Sequence, residues 1–230
     1  MPVNFNIKGK VIALTGAASG IGYETPILLA RQGANISIAD VSVDALKEKT
    51  AEIEAVSTGK VISTLFDVRD DKAVDAWIAK TVEAFGKLDG AVNLAGVIPK
   101  VINEERVEDL NNEDWHFVIG VNLHGVMYCM RAQLQYMNNK GSIVNAASIC
   151  GVISFPKNAA YTASKHAVIG LPRTAAKEVG DRDIGVNCIA PGLIDTPMQQ
   201  KSVETRGGEM NWKCQIMRRG TPQEVAALIA

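Results

Sequence analysis

The chain has 230 residues, a formal net charge of −1, 47% apolar residues and 21% charged ones. That length suits one large α/β domain better than two small ones. The composition is that of a folded globular chain, which excludes disordered and collagen-like classes. A near-neutral chain without a basic block is a poor binder of nucleic acid or anionic membrane. No stretch approaches the ~18 uninterrupted apolar residues of a membrane-spanning helix.

The N-terminus, residues 1–10, is polar and runs straight into a strand-like segment. It offers neither the apolar core of a signal peptide nor an Arg-rich transit segment. Cys129, Cys150, Cys188 and Cys214 are too far apart for a zinc or redox pair. They are expected to be buried, reduced thiols, which places the protein in a reducing compartment, the cytosol.

Short β-branched runs alternate with helix-length amphipathic stretches. Strands are predicted over 11–14, 36–39, 61–66, 90–93, 142–146 and 185–189. Nearly all are apolar throughout, as parallel strands buried on both faces require. Helices are predicted over 21–31, 43–55, 71–85, 112–137 and 159–179. Gln32-Gly33, Gly86-Lys87 and Lys140-Gly141 punctuate the changes of pattern. Repeated β–α–β units place helices on both faces of one sheet, giving a single doubly wound domain. Pro26 and Pro172 fall inside predicted helices, where each should introduce a local kink.

After the first strand comes Thr15-Gly16-Ala17-Ala18-Ser19-Gly20-Ile21-Gly22, opening directly into a helix. Glycines let the backbone turn sharply, and free N–H groups at the helix start face negative charge, so the segment reads as a diphosphate seat. The second strand ends at Asp40, about 20 residues on, where an acid can bond the adenosine ribose. A carboxylate there repels a 2′-phosphate and favours NAD over NADP. The plainer alternative makes Asp40 a helix N-cap, a job that Ser42 could also do.

Tyr161 and Lys165 lie four residues apart in a helical stretch and so share a face. A phenol with its ordinary pKa near 10 is a weak proton carrier at neutral pH, and a neighbouring ammonium would lower it. Taken alone, such a pair is usually only a packing or solvated pair.

The surroundings add to it. With Thr15 to Gly22, Asn93-Leu94-Ala95-Gly96, Asn122, Ser148, Tyr161-Thr162-Ala163-Ser164-Lys165 and Pro191-Gly192-Leu193-Ile194-Asp195-Thr196 in this order, the chain closely resembles the NAD(P)-dependent short-chain dehydrogenase/reductase family. Leu94 stands where the family has a second Asn. The resemblance implies a Rossmann-type domain with a parallel sheet of six strands, seven in the family, and hydride transfer between NAD(H) and a secondary alcohol or ketone. It implies Tyr161 as general acid/base, Lys165 as the residue that lowers its pKa and bonds the nicotinamide ribose, and Ser148 as the holder of the substrate oxygen. Asn122 would position a water for proton relay. Gly16, Ser19, Gly20, Ile21 and Gly22 would seat the diphosphate, and Asp67 and Val68 the adenine. Asn93, Ala95 and Gly96 would pass the adenosine ribose. Pro191, Gly192, Ile194 and Thr196 would frame the nicotinamide. No metal is implied.

His124 and His166 read as packing or surface residues, and Trp77 and Trp115 as helix residues on neighbouring elements. The segment 197–220 is expected to be the substrate lid; its Met198, Met210, Trp212 and Met217 suit a hydrophobic or cyclic alcohol/ketone. Two alternatives stay open: an NAD-binding protein without redox activity, and a methyltransferase built on the same glycine turn. The resemblance implies a homo-oligomer, a tetramer or dimer, with apolar positions such as Val126, Met130, Leu134, Val168 and Leu171 as interface. Thr221-Pro222-Gln223-Glu224 reads as a capped helix start. Because the family adds a seventh strand beyond that helix, the resemblance implies that residues 1–230 are a truncated or incomplete chain, with the lid poorly anchored.

Overall fold

The computed structural model describes residues 7–102, 104–208 and 218–230. Met210, Trp212, Cys214 and Met217 therefore lie outside the described residues. The chain runs β1 (Val11–Thr15), α1 (Gly20–Arg31), β2 (Asn35–Asp40), α2 (Val43–Val56), β3 (Val61–Leu65), α3 (Asp71–Phe85) and β4 (Leu88–Asn93). It continues through α4 (Asn112–Ile119), α5 (Gly125–Tyr136), β5 (Met137–Ala146), α6 (Ala159–Glu178), β6 (Gly185–Ile189), α7 (Pro197–Arg206) and α8 (Pro222–Ile229). The strands form one parallel sheet in the order β3-β2-β1-β4-β5-β6. Thr15 pairs with Ala39 on one side and Asn93 on the other, so β1 sits at the centre.

Two cores cover the two faces of the sheet. On one, Ile27, Leu29, Leu46 and Ile53 of α1 and α2 pack on Leu14, Ile36 and Ile38, with Ile229 and Ala230 at the end of α8 added. On the other, Trp77 and Ile78 of α3, Val126 and Met130 of α5 and Val168 of α6 pack on Leu88 and Ile143. Trp77 is fully buried, and its indole N–H donates to Ser37 Oγ at 3.0 Å, so the large ring enters without an orphaned donor.

Local chemistry sets the ends of the helices. Asp70 accepts from the N–H groups of Lys72 and Ala73 at the start of α3, and Gly86 closes that helix in the left-handed region at φ +77°. Thr221 and Glu224 form the expected capping box. Arg182 donates to the carbonyls of Leu134 and Met137, which the end of α5 would otherwise leave unpaired. Both α1 and α6 run unbroken across Pro26 and Pro172, which are buried.

Three expectations need correction. The helix predicted over 112–137 is two helices joined by a π-helical turn at Gly120–His124. The extra residue in that turn shifts every later side chain around the axis, and no apolar period records it. The apolar positions expected at an interface are largely taken up within the chain. Val126, Met130 and Val168 are buried in the chain's own core, and Leu134 and Leu171 pack against it. Finally, Cys129 and Cys150 are buried but Cys188, on β6, is half-buried.

Behind the central strands lies a buried amide network. Asn93 and Gln133 exchange hydrogen bonds at 2.8 and 3.0 Å, Asn93 donates to Asn145 at 2.8 Å, and Asn145 donates to the Asn187 carbonyl at 3.2 Å. The network ties α5, β4, β5 and β6 together. Replacing Gln133 by Leu keeps the volume but strands the Asn93 side-chain oxygen, so a loss of about 1–3 kcal/mol is expected. Urea unfolding should show a lower midpoint with an unchanged slope.

Candidate active site

The βα loops leave the sheet at one edge and enclose a cavity of about 610 Å³. Gly16, Ser19, Gly20, Ile21 and Gly22 form its floor after β1, Asp40 stands after β2, and Asp67 and Val68 follow β3. Ala95 and Gly96 come from the loop after β4, Ser148 from that after β5, and Tyr161 and Lys165 from α6. Pro191, Gly192, Ile194 and Thr196 close it after β6. Asn93 and Asn122 do not line it. Asn93 is 1% exposed and points into the amide network, which corrects its expected place beside a ribose.

The glycine turn is built by close approach. A Cβ on Gly22 would sit 1.8 Å from the Gly16 carbonyl oxygen, and one on Gly16, at φ +75°, would sit 2.7 Å from the Ala95 nitrogen. Ser19, the N-cap of α1, makes no side-chain cap bond, and no acid stands in the first turn. The first N–H groups of α1 thus lack the usual internal acceptor at the wall of the cavity, the arrangement that suits a diphosphate.

Asp40 is braced rather than capping. One oxygen accepts from Ala18 N–H at 3.0 Å, the other from Ser42 N–H at 3.0 Å, and Ser42 takes the N-cap position of α2. Asp67 is forked by Arg69, whose Nη2 lies 2.6 Å away and whose guanidinium stacks on Phe117. That partner holds the Asp67 carboxyl below the usual carboxylate range.

Asn122 lies in the π-helical turn and is completely buried. Its carboxamide accepts from Val97 N–H at 2.8 Å, donates to the Val97 carbonyl at 2.9 Å and donates to Ser164 Oγ at 3.3 Å. Ser164 in turn donates to the Tyr161 carbonyl at 2.7 Å. The side chain expected to hold a water therefore clamps the loop after β4 to α6.

Lys165 is 4% exposed, and its ammonium donates to the Ala146 carbonyl at 2.8 Å. Burial pulls it down to about 8. Its Nζ stands 5.5 Å from the centre of the Tyr161 ring. Burial pushes the Tyr161 phenol up to about 12, and a hydrogen bond from Ser148 pulls the other way. The expected lowering by the ammonium is not seen in the protein alone: burial of the phenol dominates, and the one opposing influence is the hydrogen bond from Ser148.

The sequence reading did not single out Phe117, Phe155, Ser202 or Arg206, which also line the cavity. Gln199, Ser202 and Arg206 recur at spacings of three and four residues, a helical stripe that could have been found.

A doubly wound parallel sheet with this crevice at the seam between β1 and β4 is the architecture of dinucleotide-dependent enzymes. The chain matches the family described as enoyl-(acyl carrier protein) reductase over residues 16–230. It is 50% identical over 227 residues to the short-chain dehydrogenase/reductase aba4 of Botryotinia fuckeliana (strain B05.10), covering 96% of this chain and 88% of that one. A crystal structure of levodione reductase superposes with a TM-score of 0.89 at 33% identity, over 97% of this chain and 90% of the other. NAD⁺-bound xylitol dehydrogenase gives a TM-score of 0.89 at 29% identity, over 97% and 91%. The chain belongs to the short-chain dehydrogenase/reductase family. It is an oxidoreductase of CH–OH and C=O groups on small molecules, and works with a nicotinamide cofactor. No helix among the described residues is long and apolar enough to cross a membrane.

The cradle gives a direct test. Gly22→Ala forces the turn open, so the dinucleotide should bind about tenfold more weakly or worse. Titration of cofactor fluorescence measures the loss.

Proposed function

We propose that the protein is an NAD-dependent dehydrogenase/reductase of a secondary alcohol or ketone with a hydrophobic or cyclic frame, and that Tyr161 is its general acid/base. The observation that carries this reading is the convergence of Tyr161, Ser148 and Lys165 on one cavity whose other end is the glycine turn. The apolar walls at Ile98, Ile149 and Met198 support the hydrophobic frame. Levodione reductase and xylitol dehydrogenase are named for oxygenated small molecules, in keeping with this class.

The nicotinamide, when bound, supplies or accepts the hydride, and its oxidised ring adds positive charge that favours the phenolate. The glycine turn and the start of α1 hold the diphosphate, and Asp40 takes the ribose hydroxyls. The Ser148 hydroxyl holds the substrate oxygen. Tyr161 gives that oxygen its proton during reduction and removes it during oxidation. Lys165 stabilises the resulting charge, and Asn122 and Ser164 keep its helix in register with the loop after β4. A reducing compartment, the cytosol, agrees with thiols at Cys129 and Cys150 that burial keeps protonated. Assembly as a homo-oligomer is inferred from the family resemblance alone.

Asp40 faces the adenosine end with the exposed, uncharged Val41 beside it. NAD should bind at least about tenfold more tightly than NADP, and Asp40→Ala should narrow the gap. Competitive titration of the two cofactors measures it; a native preference for NADP would overturn the assignment.

The pH profile separates the two directions. Oxidation needs the Tyr161 phenolate, and below a pKa of about 12 its fraction rises about tenfold per pH unit. Alcohol oxidation should therefore climb from pH 7, and the rise should flatten as Lys165 loses its charge above about 8. Ketone reduction, which uses the protonated phenol, should stay level at neutral pH. Tyr161→Phe should lower kcat by about 100-fold or more in both directions and keep cofactor affinity. Absorbance of the reduced nicotinamide over a panel of secondary alcohols and ketones reads all of this.

A further inference from the structure

The loop that follows β4 has two faces. Ile98 and Ile102 line the large cavity, while Pro99 and Val101 line a cleft of about 10 Å³ behind it. That cleft has room for at most one water, so the loop has nowhere to retreat. Asp114 and Trp115 of α4 line the same cleft. The apolar wall that a substrate meets is thus backed by α4 and not by open solvent.

Asp114 is 8% exposed, and both its oxygens accept from Lys100 N–H, at 3.2 and 3.0 Å. Burying a carboxylate costs free energy. The helix dipole does not require it, since the exposed Glu113 in the same first turn serves that purpose equally well. What the buried position adds is the grip on Lys100. The start of α4 is itself fixed: Asn111 accepts from Asp114 N–H at 2.9 Å, and Asn111 N–H donates to Glu105 at 3.1 Å. Asn122, further along the same continuous helical run, holds Val97. The loop is therefore pinned on both sides of Ile98, at 97 and at 100, from one rigid element.

We propose that Asp114 is a positioning residue: through Lys100 N–H it holds the wall at Ile98 and Ile102 in the shape that seats the hydrophobic part of the substrate. It touches neither substrate nor cofactor, and it does not line the cavity. The inference rests on the dehydrogenase reading above and adds how its apolar wall is set. The glycine turn and Asp40 stand on other loops, and Tyr161 and Lys165 on α6, so loosening this wall leaves cofactor seat and proton transfer in place. Such a residue acts on the fit of the bound substrate in ground state and transition state alike, and so on KM rather than kcat.

The test takes the cyclic ketone that native protein reduces fastest with NADH and compares native protein with Asp114→Ala and Asp114→Asn. Asp114→Ala should raise KM for that ketone by about tenfold, with kcat changed by less than about twofold and NADH affinity unchanged. Asp114→Asn keeps one acceptor oxygen and should restore most of the native KM. Should the alanine variant not fold, Lys100→Pro deletes the N–H of the same bond at an exposed position and should raise KM likewise. A native KM in folded Asp114→Ala or Lys100→Pro overturns the role of Asp114 and leaves the dehydrogenase reading standing. A joint loss in kcat, KM and NADH affinity, the mark of general loosening, also overturns it. Turnover of no cyclic ketone by native protein overturns both readings together.

Discussion

Six parallel strands send every βα loop out at the same edge of the sheet, and at the seam between β1 and β4 the crossovers turn to opposite faces. Much else in this molecule follows from that divergence. The loops after β1 and β4 must pass within contact of each other, and they do so only because Gly16 has no side chain to meet Ala95. The gap they flank collects one segment from each strand, so residues far apart in the chain, from Gly16 to Thr196, line one cavity. A one-residue slip of a strand would move its loop and also reverse the faces of its side chains, so core packing and site geometry are fixed together.

Within that cavity, desolvation and charge oppose each other. Lys165 sits in the interior with its ammonium on the Ala146 carbonyl, and Tyr161 beside it is driven towards the neutral phenol. Both shifts disfavour the charged form, and an apolar pair of the same size would pack there without the desolvation penalty. The Asn122 clamp fixes the same region mechanically. Its three hydrogen bonds hold the loop after β4 against α6, and the π-helical turn is what points its side chain there.

The parallel sheet, the helix order and the glycine turn were legible because each has a pattern with a physical cause: continuous apolar runs, amphipathic period, and glycines at a strand–helix junction. The capping box at Thr221 was legible for the same reason. The role of Asn93 was not, because a buried amide network and a cofactor contact call for the same residue type; only the positions of Gln133 and Asn145 distinguish them. The π-helical turn leaves no periodic trace. The apolar faces of α5 and α6 were misjudged because period shows that a face is covered without showing by what, and here the chain's own core covers it. The Tyr161–Lys165 spacing was legible, but the upward shift of the phenol depends on its depth, which spacing does not encode.

Helix α7 stands apart from the other described α-helices in that it buries no side chain. It is held at one end by the Thr196 cap and at the other by Gly207 in the left-handed region. Without a buried apolar face, α7 adds little to the free energy that holds the sheet behind it together. The stability of the core and the anchoring of this wall of the cavity thus rest on different contacts, and a substitution that strengthens the core does not by itself tighten α7.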